Sequence, residues 1–565
     1  MTAEVRREHP IALRALPAAL RTLPGSLRLP ADPRLPGLLT LLAVLAGVGY
    51  RLALLRHDAP PTNSDEATMG LAALHIARGQ EFPVWFYGQS YMGTLDAWLA
   101  APVFAVAGPS TFGLRLPTLA MYALFLLLSW RLTVRLTGDH WFALLVVTLL
   151  ALGSDRIVKN QLIAGGGYPE MNVAGVALAL LAYDLAVGRP GRRLPRWAAW
   201  GLLGGLMLWV DPLVLPYVGA TGLVLAAYRW RELRGRAGAL LSLGALLGAA
   251  PLLVDSLVAG RNPLAAVLTA SGAAQPAGWA DRLYGGLVLG PALGMGFCDP
   301  GRCAGWQLWW SAALPVLLLA AALLAWRTLR GHRVVDAGAA AAGPADPVDT
   351  PGAVAPRVGA AVTLALVGAA VATVAAYAVS SAAGLTPVES ARYLSCLLIS
   401  VPVLLWPLWR AARRRPATGT GQRRPGRGWA AVGRGAAVAV LVATLGTATA
   451  ATAGAIGRVD AVHAAELRHT ALVAALREQG VRHVYGTYWT CNRLTFASAE
   501  EVVCAVVDDD LNPGHDRYRP YRAAVRASTA PAWVAPEGSA LAARLDQQPF
   551  DLLTVDGWRV YLPHR

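Results

Sequence analysis

Charged side chains are scarce in this sequence. Asp, Glu, Lys and Arg make up 15 % of its 565 residues, and Lys159 is the only lysine. A soluble chain of that length divides into compact domains with polar residues in every segment. That class is excluded here, because the polar residues collect between apolar blocks. Cysteine is rare as well, with five in all, and no histidine spacing accompanies the cysteines to support a zinc site. The N-terminal charged region is too long for a cleavable signal peptide, and no small-residue cleavage site follows it. No convincing internal repeat of the kind secondary transporters carry is seen among the apolar blocks either.

What the sequence does have is hydrophobic residues, 55 % of the total, in blocks of roughly 18 to 25, the length that spans a hydrocarbon core as a helix. Spans are predicted near 36–55, 113–135, 140–153, 171–188, 197–210, 212–229, 237–258, 306–327, 358–380, 392–410 and 429–453. The net charge of +16 suggests nucleic acid only until its distribution is considered. Arginines gather in the short loops 189–196, 229–236 and 410–427, which is the positive-inside pattern and needs no nucleic-acid partner. The expectation is an all-α polytopic membrane protein with about eleven transmembrane helices. Its N-terminus would be cytoplasmic, and the loops 56–112, 154–170 and 259–305, with everything after 453, would lie outside.

Residues 1–35 repeat arginine, proline and leucine every seven positions (Arg7, Arg14, Arg21; Pro10, Pro17, Pro24; Leu13, Leu20, Leu27). Proline at that spacing forbids one continuous helix. A basic cytoplasmic tail that touches anionic membrane lipids is predicted instead. Residues 36–453 form the transmembrane domain, in which the Ala-, Gly- and Pro-rich loop 331–357 reads as a disordered cytoplasmic linker. Residues 454–565 read as a small α/β domain. Residues 459–479 have helical spacing up to Gly480, and Val481–Trp489, Val502–Val507, Phe550–Val555 and Trp558–Leu562 read as strands. Two cysteine pairs, Cys298 with Cys303 and Cys491 with Cys504, are disulfide candidates, and both fall on the outer side of the predicted topology. Cys396, alone in an apolar block, reads as a small buried hydrophobe.

Polar chemistry concentrates in loop 56–112. Asn63 followed by Glu66 matches a capping box, which puts Asp65 in the first turn of a helix over Ala67–Arg78. First-turn acids also serve simply to stabilise helices, so the dipeptide carries little alone. Downstream come the aromatic, glycine-bearing run Tyr87-Gly88-Gln89-Ser90-Tyr91-Met92-Gly93, then Leu95-Asp96, Gly108-Pro109-Ser110, and Arg115 at entry to the second span.

This order resembles the first outer loop of the GT-C-fold glycosyltransferases, the superfamily of aminoarabinose transferases and protein O-mannosyltransferases. The resemblance covers residues 36 to about 260 well and the rest more loosely. It implies a polyprenyl-phosphate sugar as donor, an inverting transfer, and a glycan, lipid or protein as acceptor. It implies Asp65 as the carboxylate that orients and deprotonates the acceptor, with Glu66 beside it. A second acidic residue is implied in loop 154–170, where Asp155 and Glu170 both qualify. Candidate substrate-binding residues are Tyr87, Gln89, Tyr91, Arg115, Lys159, Tyr168, Arg392 and Tyr393. Lys159, Arg156 and Arg392 suit the charge of a leaving phosphate, although interfacial cations also snorkel to headgroups. No cofactor is implied with certainty. Relatives differ in their use of a divalent metal, and no clean ligand set appears. Asp508-Asp509-Asp510 contains an Asp-X-Asp, but a solvated turn is the expected reading. The competing classes are a lipid or sugar transporter and a catalytically inactive GT-C-like protein.

Overall fold

The computed structural model describes residues 32–260, 262, 276–298, 301, 303–340, 351–413 and 427–564. The predicted basic tail lies outside the described residues except for 32–35. Among the described residues, eight helices are long and apolar enough to cross a membrane. They are Arg34–Leu55 (α1), Thr111–Thr137 (α4), Tyr168–Val187 (α7), Pro212–Leu233, Gly305–Gly331, Val354–Val379, Pro387–Arg413 and Val432–Glu478. Two broken pairs add two more when each counts as one span. His140–Ala151 (α5) turns by 91° into Asp155–Leu162 (α6), and Arg236–Gly248 (α10) turns by 59° into Ala250–Ala259 (α11). The eleventh predicted span, 197–210, does form a helix, Arg193–Val210 (α8). With Arg193 and Arg196 in its first turn it is not among the crossing helices, so the count of eleven is not confirmed. The predicted linker 331–357 is shorter than expected. Helices run on to Ala340 and start again at Pro351, leaving 341–350 outside the described residues.

The break between α5 and α6 shapes the outer side. A span that stops inside apolar surroundings leaves carbonyls that must find donors. Arg51, buried in α1, supplies them. Its guanidinium donates to Ala151 O at 2.9 Å, to Leu152 O at 3.3 Å, and to Gln161 Oε1 of α6. Ser154 caps α6 by accepting from Ile157 N. The short helix α6 is thereby held across the bundle with Arg156, Lys159 and Asn160 on it.

Helices α8 and α10 pack backbone to backbone. Their contact uses two small-residue pairs at i,i+4, Gly201 with Gly205 and Gly244 with Gly248, a spacing that lets helices approach closely in lipid. A Cβ added at Gly201 or Gly205 would lie 2.0 Å from the carbonyl oxygen of Leu241 or Ala245.

Two helices lie in the loop after α1, namely Ser64–Ala77 (α2) and Leu95–Ala107 (α3). Against them packs the C-terminal unit. It begins with Val459–Glu478 (α12), which runs straight on from the last crossing helix, and it contains a five-stranded sheet. The strands are His483–Gly486 (β1), Val503–Val506 (β2), Ala532–Pro536 (β3), Phe550–Val555 (β4) and Trp558–Pro563 (β5), in the order β2-β1-β3-β5-β4. β1 is parallel to β2 and β3, while β5 is antiparallel to β3 and β4. Four strands were predicted, and β3, hidden between flanking prolines, was not. The predicted first strand also ends early, because Tyr488 and Trp489 open a helix, Tyr488–Ala497 (α13). Cys491 of α13 is bonded to Cys504 of β2, and Cys298 is bonded to Cys303. Cys396 is buried and free.

The seat of this unit is specific. Phe496 of α13 lies on Gly70 of α2, where an added Cβ would stand 2.6 Å from its ring, and its ring stacks on Phe104 of α3 at 6.0 Å.

Replacing Gly205 with Leu is expected to separate α8 from α10 and cost about 1–3 kcal/mol or more, the range for overpacking a tight contact. Thermal unfolding in detergent checks this. A Gly219→Leu variant, where an added Cβ meets nothing, should melt like the parent.

Candidate active site

The loop between α2 and α3 folds back on itself. Phe86 N donates to Met92 O at 2.9 Å, and Trp85 bridges to Gly93. Gly93 N donates to Val210 O at 3.1 Å, and the position of a Cβ there is taken by Trp209. The Tyr87–Gly93 run is therefore a tight hairpin pinned to the end of α8, with Gln89 and Tyr91 at its tip.

Below this tip is a cavity with room for about 450 Å³ of solvent. Asp65, Gln89, Tyr91, Lys159, Tyr168, Arg392 and Tyr393 all line it, together with Asn63, Arg156, Asn160, Gly165, Gly166, Asp211, Glu389 and Arg517. Seven of the predicted site residues thus come together from segments far apart in the chain. The predicted facing of loops 56–112 and 154–170 is observed, since a Cβ at Gly165 would lie 3.6 Å from Asp65 O. Gly165, Gly166 and Gly167 all have positive φ, at 106°, 148° and 68°, a conformation that only glycine adopts without strain. The glycine run is a sharp turn into α7 built along the cavity wall.

Five predicted residues sit elsewhere. Glu66 and Arg115 point away from the cavity and pair with each other, Nε to Oε1 at 2.7 Å and Nη2 to Oε2 at 2.6 Å, both fully buried. Thr62 Oγ1 donates to the same carboxylate, and Pro60 O accepts from Arg115. Asn63 accepts from Glu66 N at 2.9 Å, but the Glu66 side chain does not return the bond. The predicted capping box is therefore only half formed, because the arginine claims the glutamate. Successive residues of a helix point about 100° apart, since it turns once in about 3.6 residues. Turning Glu66 inward sends Asp65 to the cavity.

Glu170 is buried beside Asp96, and Asp96 Oδ2 accepts from Gly165 N at 2.8 Å. Burial pushes the Asp96 carboxyl above the ordinary aspartate range, against the pull of that N–H. Asp96 thus supports the glycine turn from behind, with Glu170 next to it. Asp155 does not line the cavity; it lies one turn of α6 from Lys159, at 3.2 Å, and 3.7 Å from Arg458. Tyr87 lies under the C-terminal unit, where its hydroxyl meets His75 at 2.7 Å and donates to Glu81 at 2.9 Å.

The cavity has cations on one part of its wall. Arg156 donates to the backbone oxygens of Val388 and Glu389, while its buried Nε and the buried Nε of Arg392 make no hydrogen bond. Lys159 has 36 % of its side chain exposed. Asp211, which caps the turn after α8 through Leu213 N at 2.8 Å, is pushed up to about 7 by burial. Lying between two predicted spans, Asp211 reads from the sequence either as part of a tight outer turn or as a functional carboxylate.

Two contacts to Asp65 are not indicated by the sequence. Tyr488 and Arg517, both from the C-terminal unit, reach Asp65. The Tyr488 hydroxyl donates to Asp65 Oδ1 and accepts from Arg517 Nε at 2.7 Å, while Arg517 Nη2 donates to the same Oδ1 at 3.2 Å. Tyr488 had been read as strand, and no local signal ties residue 517 to residue 65. Asp508-Asp509-Asp510 is an exposed turn in which Asp508 accepts from Asp510 N and Asn512 N. Among the described residues no three of His, Cys, Asp and Glu converge as metal ligands.

No family model matches the sequence. The undecaprenyl phosphate-alpha-4-amino-4-deoxy-L-arabinose arabinosyl transferase of Pseudomonas aeruginosa (strain UCBPP-PA14) is 33 % identical over 168 residues, 27 % of this chain and 28 % of that protein. The chain thus matches little more than a quarter of the length of this curated relative. The crystal structure of ArnT from Cupriavidus metallidurans bound to undecaprenyl phosphate superposes with a TM-score of 0.52 at 14 % identity, covering 94 % of this chain and 97 % of that one. The apo oligosaccharyltransferase of Archaeoglobus fulgidus gives 0.47 at 12 % identity, covering 89 % and 69 %. The chain has the polytopic helical fold of ArnT, with a small sheet at its C-terminus, as the resemblance to GT-C proteins implied.

Two outcomes follow. Arg115→Met leaves Glu66 buried without its partner and is expected to cost about 3–5 kcal/mol, the range for breaking a buried pair from one side; the thermal midpoint in detergent reads this. For Asp211, a folded pKa near 7 lies above an unfolded value of about 3.9. The native state therefore holds the extra proton, and stability falls as pH rises from about 4 to about 7. Asp211→Asn should melt with the wild type at pH 4 and above it at pH 8.

Proposed function

We propose, from this fold and this cavity, that the chain is a membrane glycosyltransferase. It would move a sugar from a polyprenyl-phosphate donor to an acceptor on the outer face of the membrane. The observation that carries the reading is the pairing, within one cavity, of the Asp65 carboxylate with the cations Arg156, Lys159 and Arg392.

In the reaction, Asp65 takes the proton of an acceptor hydroxyl or amine as that atom attacks the anomeric carbon. The new bond forms from one face while the bond from the anomeric carbon to the phosphate oxygen breaks on the other, which inverts the centre. The electron pair leaves with the lipid phosphate. Its developing charge falls on Lys159 and the two arginines, whose buried Nε–H groups have no other partner. Tyr168, Tyr393 and Tyr91 supply aromatic and hydroxyl surface for the sugar, and the Gly165–Gly167 turn lets its backbone approach the ligand. The acceptor is a glycan, a lipid or a protein.

Topology supports the same reading. Arginines in the loops near 189–196, 229–236 and 410–427 argue for a cytoplasmic side opposite the cavity. The disulfides Cys298–Cys303 and Cys491–Cys504 suit an oxidising exterior. The N-terminus is then cytoplasmic, and residues 454–565 form an extracytoplasmic domain.

The test is incubation of purified protein with a panel of polyprenyl-phosphate sugars and acceptor membranes, followed by release of free lipid phosphate. Asp65→Asn should lower turnover by about 10²–10⁴, the contribution of a positioned general base, with donor binding retained. Lys159→Ala and Arg392→Ala should weaken binding of the lipid phosphate itself. A protein that releases no lipid phosphate from any donor, yet carries lipid across a vesicle equally well with Asp65 or Asn, is a transporter instead.

A further inference from the structure

The residues that hold Asp65 do not come from the membrane domain. Asp65 offers two carboxylate oxygens, and among the described residues every hydrogen bond to its side chain falls on Oδ1. Both donors belong to the C-terminal unit. Tyr488 is the first residue of α13, and Arg517 lies in the segment between β2 and the helix Arg519–Ala527.

Each donor is itself held. The backbone oxygen of Tyr488 accepts from Ser64 Oγ of α2, the residue next to Asp65. One turn further along, the Cys491–Cys504 disulfide ties α13 to β2. Arg517 lies over the rings of Phe86 and Tyr488 at 5.0 and 5.6 Å. Gln89, with its amide turned so that oxygen faces the guanidinium, accepts from Arg517 at 2.5 and 3.1 Å and donates to Tyr91 at 2.9 Å. Burial and the adjacent Asp65 carboxylate push the Tyr488 hydroxyl up, so it remains a donor.

Docking alone does not account for these contacts. The unit is already seated by Phe496 on Gly70 and by a separate polar cluster in which Glu500 accepts from Tyr521 at 2.8 Å, meets His75 at 2.9 Å and pairs with Arg78 at 2.5 Å. Arg517 and Tyr488 instead spend their donors on a carboxylate that lines the cavity.

We propose that the C-terminal domain completes the active site, with Tyr488 and Arg517 as positioning residues that clamp Asp65 Oδ1 and present Oδ2 to the acceptor. This rests on the glycosyltransferase reading for its chemistry. A carboxylate free to rotate would sample many orientations, and a base fixed by groups behind it meets the acceptor proton in one. The membrane domain alone would then hold donor but transfer poorly.

The experiment has two arms on the full chain. In the first, kcat and the donor KM are measured for Arg517→Gln, Arg517→Lys and Tyr488→Phe. The expected result is a fall in kcat of about tenfold or more for Arg517→Gln, typical of removing a supporting partner, with donor KM little changed and partial recovery in Arg517→Lys. In the second, Asp65 is labelled with a water-soluble carbodiimide and an amine, and its peptide is quantified by mass spectrometry. Labelling should rise several-fold in Arg517→Gln and Tyr488→Phe, and should stay at the wild-type level in Arg544→Gln, whose pairing with Asp510 is exposed. Equal labelling of Asp65 in all four proteins overturns the inference, whether or not turnover is found. So does a wild-type kcat in both clamp variants. A wild type inactive on every donor, with labelling that still rises in the clamp variants, overturns the functional reading and leaves the clamp standing.

Discussion

Glu66 and Arg115 meet where neither has water. Each is at or below 1 % exposure, and a carboxylate or guanidinium in such surroundings is tolerated only when its charge and hydrogen bonds are answered. The bidentate pair, with Thr62 and Pro60 O completing it, locks the start of α2 to the start of α4. That lock orients everything above it. It sets the rotation of α2 and so the direction of Asp65, and it holds the platform on which Phe496 and the rest of the C-terminal unit sit.

The other side of the cavity depends on a second buried arginine. Arg51 answers the carbonyls that the broken span leaves at Ala151 and Leu152, and this allows α6 to cross the bundle rather than continue along it. The cations of α6 are then brought beside Arg392, from a segment more than two hundred residues away. A continuous third span would have carried Lys159 out of reach of Asp65. Both halves of the site thus depend on arginines buried among helices, each satisfied by partners from another element.

Much of the membrane domain was legible because its cause is local. Apolar runs of spanning length, arginine-rich loops and the cap residue Asn63 act within a few residues of themselves. Asp65, Gln89, Tyr91, Lys159, Tyr168, Arg392 and Tyr393 were all named before their common cavity was seen. The candidate residues that lie away from the cavity are each found with a partner. Glu66 is paired with Arg115. Glu170 lies beside Asp96, and Asp155 beside Lys159 and Arg458. Tyr87 was drawn into the interface by His75 and Glu81.

The sequence by itself determined that this chain spans a membrane, where its polar chemistry gathers and that a globular α/β unit follows the last span. These follow from hydropathy and periodicity, which are properties of single segments. Only the tertiary structure decided which acid faces the cavity and which is spent on an ion pair, and that Tyr488 and Arg517 reach back over four hundred residues to Asp65. Such choices are made by the competition among buried groups for a limited set of partners, and that competition exists only once the segments have packed.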